Sequence, residues 1–310
     1  MKTLYYSHPD FLFHQTGVGH PECPDRIIAI DRAVSGQDFA GLIRPSPPLG
    51  TEQQVRLIHP QFHIDTIAAA IPEQGTHYLD QDTVLSTGSG QAAFRAVGAV
   101  CDAVDKVLSG AADNAFCAIR PPGHHAEPTL AMGFCLFNNI AIAAAYAQHH
   151  HQLERIAIVD FDVHHGNGTQ AAFYHQPNVL YVSSHEMPHY PGTGYPEETG
   201  AGNIINVPLA AGDTGDEFRQ KYSGIILPAL RKFKPELLLI SAGFDAHKDD
   251  PLASIRLVED DFAWLTQELM AIADSYCNGR IISALEGGYN LKALAASTAI
   301  HIKTLMKRLV

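Results

Sequence analysis

The chain contains few cysteines, and nothing in their arrangement suggests that they pair. The five cysteines are odd in number, are scattered over 310 residues and include no Cys-x-x-Cys pair. A disulfide-stabilised secreted fold is therefore not expected. The sequence predicts a protein of the reducing cytoplasm.

Long apolar runs and an excess of positive charge are also lacking. No segment has the length and apolar character of a transmembrane helix, and the first residues lack the apolar core of a signal peptide. The formal net charge is −12, with 33 acidic residues against 21 Lys and Arg, which argues against a surface that binds nucleic-acid phosphates. Neither a membrane nor a nucleic acid is expected as a partner, and the oligomeric state stays open.

No Gly/Ser-rich or charged linker divides the chain, so residues 1–310 are predicted to form a single domain. Short apolar segments typical of buried strands alternate with longer segments of helical periodicity. The strand-like segments are residues 115–119, 156–159, 237–241 and 281–285. The helix-like segments are residues 88–109, 138–150 and 260–276. This alternation predicts an α/β fold with a central, mostly parallel sheet flanked by helices.

Acidic residues, histidines and a tyrosine follow the four strand-like segments. They are His124 and His125 after the first, Asp160, Asp162 and His164 after the second, Asp245 after the third and Tyr289 after the fourth. Alternate residues of an extended chain project to the same side, which pairs Asp162 with His164. Ligands of open parallel sheets bind beside the carboxyl ends of the strands, so we expect these side chains to meet in one cleft.

Asp162, His164 and Asp245 offer two carboxylates and one imidazole, a set that zinc accepts with positions left for water and substrate. Because charged groups at buried strand ends cost free energy when they are desolvated, a divalent cation is the simplest way to neutralise them. Such an ion lowers the pKa of water and polarises a carbonyl, which predicts a catalytic metal centre. A two-metal, arginase-like site would need further His and Asp ligands that the sequence does not supply.

Amide hydrolysis at such a centre needs groups that move protons and stabilise an oxyanion. His124 and His125 supply two imidazoles, and Asp160 and Asn167 are candidates to orient them. Asp160 would favour the imidazolium form of His124, whereas Asn167 would only hold a tautomer of His125. Tyr289 follows a Gly-Gly turn, and the flexibility of that turn would let the phenol reach the carbonyl oxygen.

Five segments, together and in this order, resemble the zinc-dependent histone deacetylase family. They are Arg-Pro-Pro-Gly-His-His-Ala (120–126), Gly-Phe-Cys-Leu-Phe-Asn-Asn (133–139), Asp-Phe-Asp-Val-His-His-Gly-Asn-Gly-Thr (160–169), Ala-Gly-Phe-Asp-Ala (242–246) and Leu-Glu-Gly-Gly-Tyr-Asn (285–290). His-Pro-Glu-Cys-Pro-Asp-Arg (20–26) is similar to class II members. The bacterial branches of this family include histone deacetylase-like amidohydrolases and acetylpolyamine amidohydrolases.

The resemblance implies an arginase–deacetylase-like fold with the active site at the carboxyl ends of the strands. The implied ligands of Zn²⁺, or of Fe²⁺, are Asp162, His164 and Asp245. The implied catalytic residues are His124, His125, Tyr289, Asp160 and Asn167, with His125 favoured as general base and acid and His124 as mainly electrostatic. The implied substrate-binding residues are Gly133, Phe134, Tyr190, Leu252 and Gly288, and Arg26 is implied to lie on the route by which acetate leaves.

The family also carries structural potassium, which the resemblance extends to this chain. The inner ion is implied to bind oxygens of Asp160, Asp162, His164, Ser183 and Ser184. A second, peripheral ion is implied to bind backbone oxygens near Phe173 and Val179.

The leading functional prediction is a metal-dependent amidohydrolase that removes acyl groups from lysine side chains or similar amines, with a peptide or a small acyl-amine as substrate. An acetylpolyamine amidohydrolase is the alternative enzyme. Leu252 argues against it, because polyamine-specialised relatives carry a Glu at this position. The non-enzymatic alternative is a protein that binds acylated ligands without hydrolysing them.

Overall fold

Seven of the nine strands form one sheet in which every neighbouring pair is parallel, in the order β1-β4-β9-β8-β5-β6-β7. The computed structural model describes residues 1–307, and all counts refer to these residues. The strands are β1 (Thr3–Tyr6), β2 (Thr76–Tyr78), β3 (Val84–Ser86), β4 (Asn114–Cys117), β5 (Ile156–Asp160), β6 (Val179–Glu186), β7 (Ile204–Leu209), β8 (Leu237–Ala242) and β9 (Ile281–Leu285). Strands β2 and β3 form a separate antiparallel pair.

Ten α-helices connect and cover these strands. They are α1 (Asp25–Ala33), α2 (Glu52–Val55), α3 (Gln61–Ala70), α4 (Ser89–Leu108), α5 (Asn139–His151), α6 (Asn167–Phe173), α7 (Gly215–Lys221), α8 (Leu227–Phe233), α9 (Glu259–Tyr276) and α10 (Leu291–Leu305). Short 3₁₀ helices cover Pro9–Leu12 and Gln37–Phe39, and a π-helical turn covers Tyr222–Ile226. No helix among the described residues is both long and apolar enough to cross a membrane.

The parallel sheet explains the apolar runs in the sequence. Every residue of β4, β5, β8 and β9 is buried, as expected for strands with a layer on each face. The predicted α/β architecture is therefore confirmed. The first strand is shorter than predicted, because β4 leaves the sheet after Cys117, where both of its neighbours stop pairing with it.

The three predicted helices are present as α4, α5 and α9, within one residue of their predicted ends. Helix α5 begins where the Asn138 side chain accepts a hydrogen bond from the Ala141 N–H at 3.0 Å, and it ends at Gln152, which has a left-handed φ of 55°. Nearly all residues of its first two turns are buried, which suits an alanine-rich helix enclosed between other layers.

The sheet order decides where the functional residues can meet. The four strands that precede the predicted site residues, β4, β9, β8 and β5, are consecutive in the sheet. Since they are parallel, their carboxyl ends lie at one edge. The chain segments that follow them are therefore neighbours in space, although they are as far apart in the sequence as residues 120 and 290.

Buried neutral histidines make the stability of the fold depend on pH. His301 is fully buried between Thr266 and Ser283, whose hydroxyls lie 2.6 and 2.9 Å from its two ring nitrogens. Burial lowers the pKa of His301 to about 3. In the unfolded chain a histidine takes up a proton below about pH 6.5, so acid favours the unfolded state between these two values.

We expect His301→Gln to remove this acid sensitivity. The unfolding free energy of the variant, measured relative to the wild type by chemical denaturation, should improve by about 2 kcal/mol between about pH 7.5 and about pH 5. His149→Gln, at an exposed position, serves as the control and should leave the pH dependence unchanged. A difference between wild type and His301→Gln that is constant over this range would contradict the assignment.

Candidate active site

The carboxyl ends of β5 and β8 bring Asp162, His164 and Asp245 together. All three are buried, and their candidate ligand atoms lie within 4.8 Å of one another. His164 Nδ1 lies 3.0 Å from Asp162 Oδ1 and 3.2 Å from Asp245 Oδ2. Over residues 1–307 this is the one cluster of three or more His, Cys, Asp or Glu side chains that could hold an ion, so the described chain offers no second, arginase-like set.

The three side chains fit a metal ion because one of their oxygens has no other partner. Asp162 accepts hydrogen bonds from the N–H groups of His164 and Gly287, at 2.9 and 2.7 Å. Asp245 Oδ1 accepts one from the Val163 N–H at 2.8 Å, but Asp245 Oδ2 is buried without any hydrogen bond. A cation between this oxygen and His164 Nδ1 would remove the cost of leaving it unpaired.

The cluster also attracts positive charge. Burial by itself lowers the pKa of His164, but the carboxylates of Asp162 and Asp245 outweigh this effect and raise it to about 10. Burial, followed by the charge of Asp162, raises the pKa of Asp245 to about 7. Both shifts mean that a proton binds more tightly here than on an isolated side chain, and a divalent cation would displace it.

Two glycines let the chain close around the cluster. A Cβ at Gly287 would lie 1.9 Å from Asp245 Oδ2 and 2.6 Å from Asp162 Oδ2. A Cβ at Gly243 would lie 2.1 Å from Asp162 Oδ2. Any larger residue at either position would push the carboxylates away from the point where they meet.

The two histidines after β4 stand beside this cluster with different partners. Their ring centroids are 4.0 Å apart. His124 Nδ1 lies 3.0 Å from Asp160 Oδ2, which also accepts a hydrogen bond from the Tyr181 hydroxyl at 2.9 Å. His125 Nδ1 lies 2.8 Å from Asn167 Oδ1. The orienting partners proposed from the sequence are therefore the ones in contact.

These partners give the two imidazoles opposite protonation tendencies. Burial lowers the pKa of His124, but the charges of Asp160 and Asp162 outweigh it and hold the pKa well above its usual value. Burial and the positive charges of His124 and His164 hold the pKa of His125 well below its usual value. His124 is thus favoured as an imidazolium and His125 as a neutral base.

The turn that carries Tyr289 is fixed at several points, in contrast to the flexibility expected from two glycines. The Gly287 N–H donates to Asp162 Oδ2, and the Gly288 carbonyl accepts a hydrogen bond from Arg26 Nε at 2.8 Å. The Tyr289 N–H donates to Asp250 Oδ2 at 2.7 Å. The Tyr289 side chain is therefore presented by an anchored backbone.

Arg26 lies beneath Tyr289 and is fully buried. Its guanidinium also donates to the carbonyl of Glu286 and to Glu22 Oε1, and its Cζ lies 5.1 Å from the Tyr289 ring centroid. Glu22 in turn binds the buried guanidinium of Arg120. Since Arg26 holds carbonyls on both sides of Gly287, it supports the turn. That Arg26 lies on the route by which acetate leaves stays a prediction.

A pocket of about 540 Å³ opens onto the cluster. Its walls include His125, His164 and Tyr289 together with the predicted substrate-binding residues Gly133, Phe134, Tyr190 and Leu252. Gly288 lies next to Tyr289 with its carbonyl turned to Arg26. The pocket thus leads from the surface to the candidate ligand His164 and the phenol.

Aromatic rings line the pocket close to the histidines. The ring of Phe134 lies edge-on to that of Tyr289, with centroids 5.9 Å apart, and Tyr190 lies edge-on to His125 at 5.1 Å. A Cβ at Gly133 would lie 2.6 Å from His125 Cδ2, and its φ of 57° also favours glycine. Glycine at this position lets the Phe134 wall reach the base of the pocket.

The mouth of the pocket is held by Asp250, a residue that the sequence did not single out. Asp250 accepts hydrogen bonds from the N–H groups of both Tyr289 and Leu252, at 2.7 and 3.0 Å. The Leu252 carbonyl lies 3.0 Å from His189 Nε2. Asp82 lines the pocket as well. Asp250 therefore connects the mouth residue Leu252 to the backbone of Tyr289.

Glu286, which follows the fourth strand-like segment, is a second support, and the sequence assigned it no role. Its carboxylate accepts hydrogen bonds from the N–H groups of Gly123 and His124, at 2.7 and 3.1 Å, and from the Ser241 hydroxyl at 3.1 Å. Burial raises its pKa to about 7. Its place at the end of a strand is visible in the sequence, whereas Asp250 lies in a loop without any such signal.

The residues predicted for the inner potassium ion lie on β5, on the segment that follows it and on β6. Asp160 pairs with Ser183 in the parallel register. The Ser183 hydroxyl lies 2.8 Å from His185 Nδ1, and the Ser184 hydroxyl lies 2.9 Å from that of Tyr222. The peripheral pair, Phe173 and Val179, lies at the end of α6 and the start of β6.

Comparisons with known proteins agree with this arrangement. The family model of the histone deacetylase domain matches residues 20–305. A histone deacetylase-like amidohydrolase of Pseudomonas aeruginosa is 40% identical over 280 residues, which cover 88% of this chain and 73% of that protein. A probable deacetylase of Archaeoglobus fulgidus is 36% identical over 310 residues, which cover 97% and 85%. The crystal structure of the HDA15 HD domain matches with a TM-score of 0.93 and 34% identity, covering 98% of this chain and 88% of that one.

We expect Gly287→Ala to weaken metal binding by about 10–100-fold, because the added methyl group displaces two candidate ligand carboxylates. Zn²⁺ titration of the metal-free protein measures the effect. Gly224→Ala is the matched control, since its Cβ would have no heavy atom within 4 Å, and it should bind Zn²⁺ like the wild type. Unchanged affinity in a folded Gly287→Ala variant would exclude Asp162 and Asp245 as ligands.

Proposed function

The chain belongs to the histone deacetylase family, and from this membership and the geometry of its site we propose that it is a zinc-dependent deacylase acting on amides of the acyl-lysine type. One observation carries the proposal. Two carboxylates and an imidazole converge at the bottom of a pocket that a neutral histidine and a phenol also line. This combination suits hydrolysis of an amide at the end of a long, narrow side chain.

Asp162, His164 and Asp245 would hold zinc, whose chemistry there would be to polarise the substrate carbonyl and to lower the pKa of water. Fe²⁺ is the alternative metal, since imidazole and carboxylate ligands suit it too. The protein itself supplies the proton transfers. Because the Asn167 amide oxygen accepts from His125 Nδ1, the proton sits on Nδ1 and the lone pair on Nε2 is free to take a proton from the attacking water.

His125 then carries the proton to the leaving amine and so acts as base and acid in turn. His124, paired with Asp160, remains charged throughout and stabilises negative charge that develops beside it. The charge on His124 also keeps His125 from being protonated before the reaction starts. A K⁺ ion at the inner site, beside Asp160, would repel the positive charge of His124 and so weaken its hold on the proton.

Tyr289 completes the site as a hydrogen-bond donor. Burial and the charges of Asp245 and Asp162 raise the pKa of its phenol well above the usual value, so the hydroxyl keeps its proton. A protonated phenol on an anchored turn stabilises an oxyanion without reorganisation of the backbone. This role accounts for the ties that Arg26 and Asp250 make to that turn.

An acylated polyamine is the second candidate substrate. Asp82 at the pocket and the net charge of −12 favour a cationic amine. Leu252, however, offers no charge at the mouth to select such an amine, and Phe134 and Tyr190 accept the methylene chain of either substrate. Acyl-lysine in a peptide is therefore the preferred substrate.

Tyr289→Phe should lower kcat on an acetyl-lysine peptide by a factor on the order of 10²–10³, because it deletes one oxyanion donor and leaves the ring in place. Steady-state kinetics on the Zn²⁺-loaded enzyme measures the loss. Metal content is the control and should equal that of the wild type. If the variant keeps full activity, the phenol has no catalytic part. If wild-type, Zn²⁺-loaded protein hydrolyses no amide at all, the acyl-ligand binding protein is the better description.

The substrate preference gives a separate prediction. The wild type should have a higher kcat/KM on an acetyl-lysine peptide than on N-acetylputrescine. Leu252→Glu should raise the relative rate on the polyamine by up to about fivefold, the effect of one partly exposed charge pair, and Leu252→Gln should not. A wild type that prefers N-acetylputrescine would reverse our order of substrates and leave the chemistry intact.

A further inference from the structure

Three backbone carbonyls converge between the end of α6 and the start of β6. Those of Phe173, Gln176 and Val179 all accept hydrogen bonds from Asn203 Nδ2, at 2.9, 3.1 and 2.8 Å. Several carbonyl oxygens directed at one point also form the kind of site that binds a potassium ion. Phe173 and Val179 are the residues at which the family resemblance places the peripheral ion.

The orientation of the Asn203 carboxamide is determined by its surroundings. Its Oδ1 accepts a hydrogen bond from the Ala201 N–H at 3.0 Å, and the residue is 3% exposed. If the amide were turned over, Oδ1 would face three carbonyl oxygens and the NH₂ group would face an N–H, so every contact would be repulsive. The nitrogen is therefore the atom that the carbonyls surround.

We propose that the Asn203 carboxamide replaces the peripheral potassium ion in this protein. A cation bound by the same three oxygens would overlap Nδ2, which lies within 3.1 Å of each of them. The amide supplies two N–H donors where the ion would supply a charge. Together with the backbone N–H groups of Gln176 and Val179, which donate to the carbonyls of Phe173 and Gln176 at 3.0 Å each, it satisfies these carbonyls from within the chain. The connection from α6 to β6 is then stable without this cation.

The loop before β7 is built to place Asn203 there. Gly200 has a φ of +55°, and a Cβ on it would lie 2.5 Å from the Tyr174 carbonyl and 2.9 Å from Asn203 Oδ1. The Ala201 N–H donates to the same Tyr174 carbonyl at 2.9 Å. Helix α6 begins at Asn167, the partner of His125, so the segment that Asn203 holds is continuous with the active site.

Crystals of the wild type grown with Tl⁺, an anomalously scattering substitute for K⁺, test the proposal directly. We expect no Tl⁺ among the three carbonyls and the Asn203 side chain in the position described here. Tl⁺ bound at this point, with the Asn203 side chain rotated away, would overturn the proposal. This experiment does not depend on any variant or on enzymatic activity.

Variants test whether the amide stands in for an ion. Asn203→Ala removes the amide donors from all three carbonyls and opens the space between them to a cation, so its melting temperature should rise more than that of the wild type when choline chloride is replaced by KCl. A K⁺ ion at the inner site affects both proteins equally and cancels in this comparison. Asn178→Ala, which removes an exposed side chain from the same connection, is the control and should respond like the wild type.

Asn203→Asp gives a second variant in case Asn203→Ala does not fold. It keeps the shape of the side chain but directs a carboxylate at three carbonyl oxygens, so its folding should require K⁺ or Tl⁺. A folded Asn203→Ala or Asn203→Asp protein with no added response to K⁺ would show that the carbonyls do not form a cation site. In that case the carboxamide does not replace an ion, and the proposal fails.

Discussion

Two carboxylates and one imidazole, buried within 4.8 Å of one another, are the constraint on which the rest of the site depends. Such a group is costly unless something positive binds to it. The chain organises the cluster with backbone N–H groups of Val163, His164 and Gly287, and glycines 243 and 287 allow the approach. One carboxylate oxygen remains unpaired, and this oxygen makes the cluster a place for a metal ion and not merely a hydrogen-bonded core.

The surroundings of the cluster separate the roles of similar side chains. His124 and His125 are adjacent in the chain and nearly in contact, yet a carboxylate holds one and an amide holds the other. Their pKa values therefore move in opposite directions, and the charge on His124 itself lowers that of His125. The turn of Tyr289 is anchored from below by the Arg26 guanidinium and from the mouth by the Asp250 carboxylate.

Side-chain hydrogen bonds hold two segments of the chain that the sequence suggested to be flexible or bound to an ion. The Gly-Gly sequence before Tyr289 suggested a mobile turn, but three hydrogen bonds to Asp162, Arg26 and Asp250 fix it. Near the end of α6, the Asn203 amide nitrogen lies among the carbonyl oxygens of Phe173, Gln176 and Val179. In both places, side chains distant in sequence provide hydrogen-bond partners for backbone groups outside the regular helices and strands.

The sequence by itself determined the fold class and the candidate metal site, because both follow from local patterns. Apolar strands with polar residues at their carboxyl ends predict a parallel sheet with one functional edge, and Asp162, His164 and Asp245 stand at those ends. Only the tertiary structure decided that Asp250 links Leu252 to Tyr289. The same holds for the hydrogen bond from the His124 N–H to Glu286, and for the place of the Asn203 amide among three backbone carbonyls. These contacts join segments far apart in the chain, where no periodicity or spacing exists to reveal them.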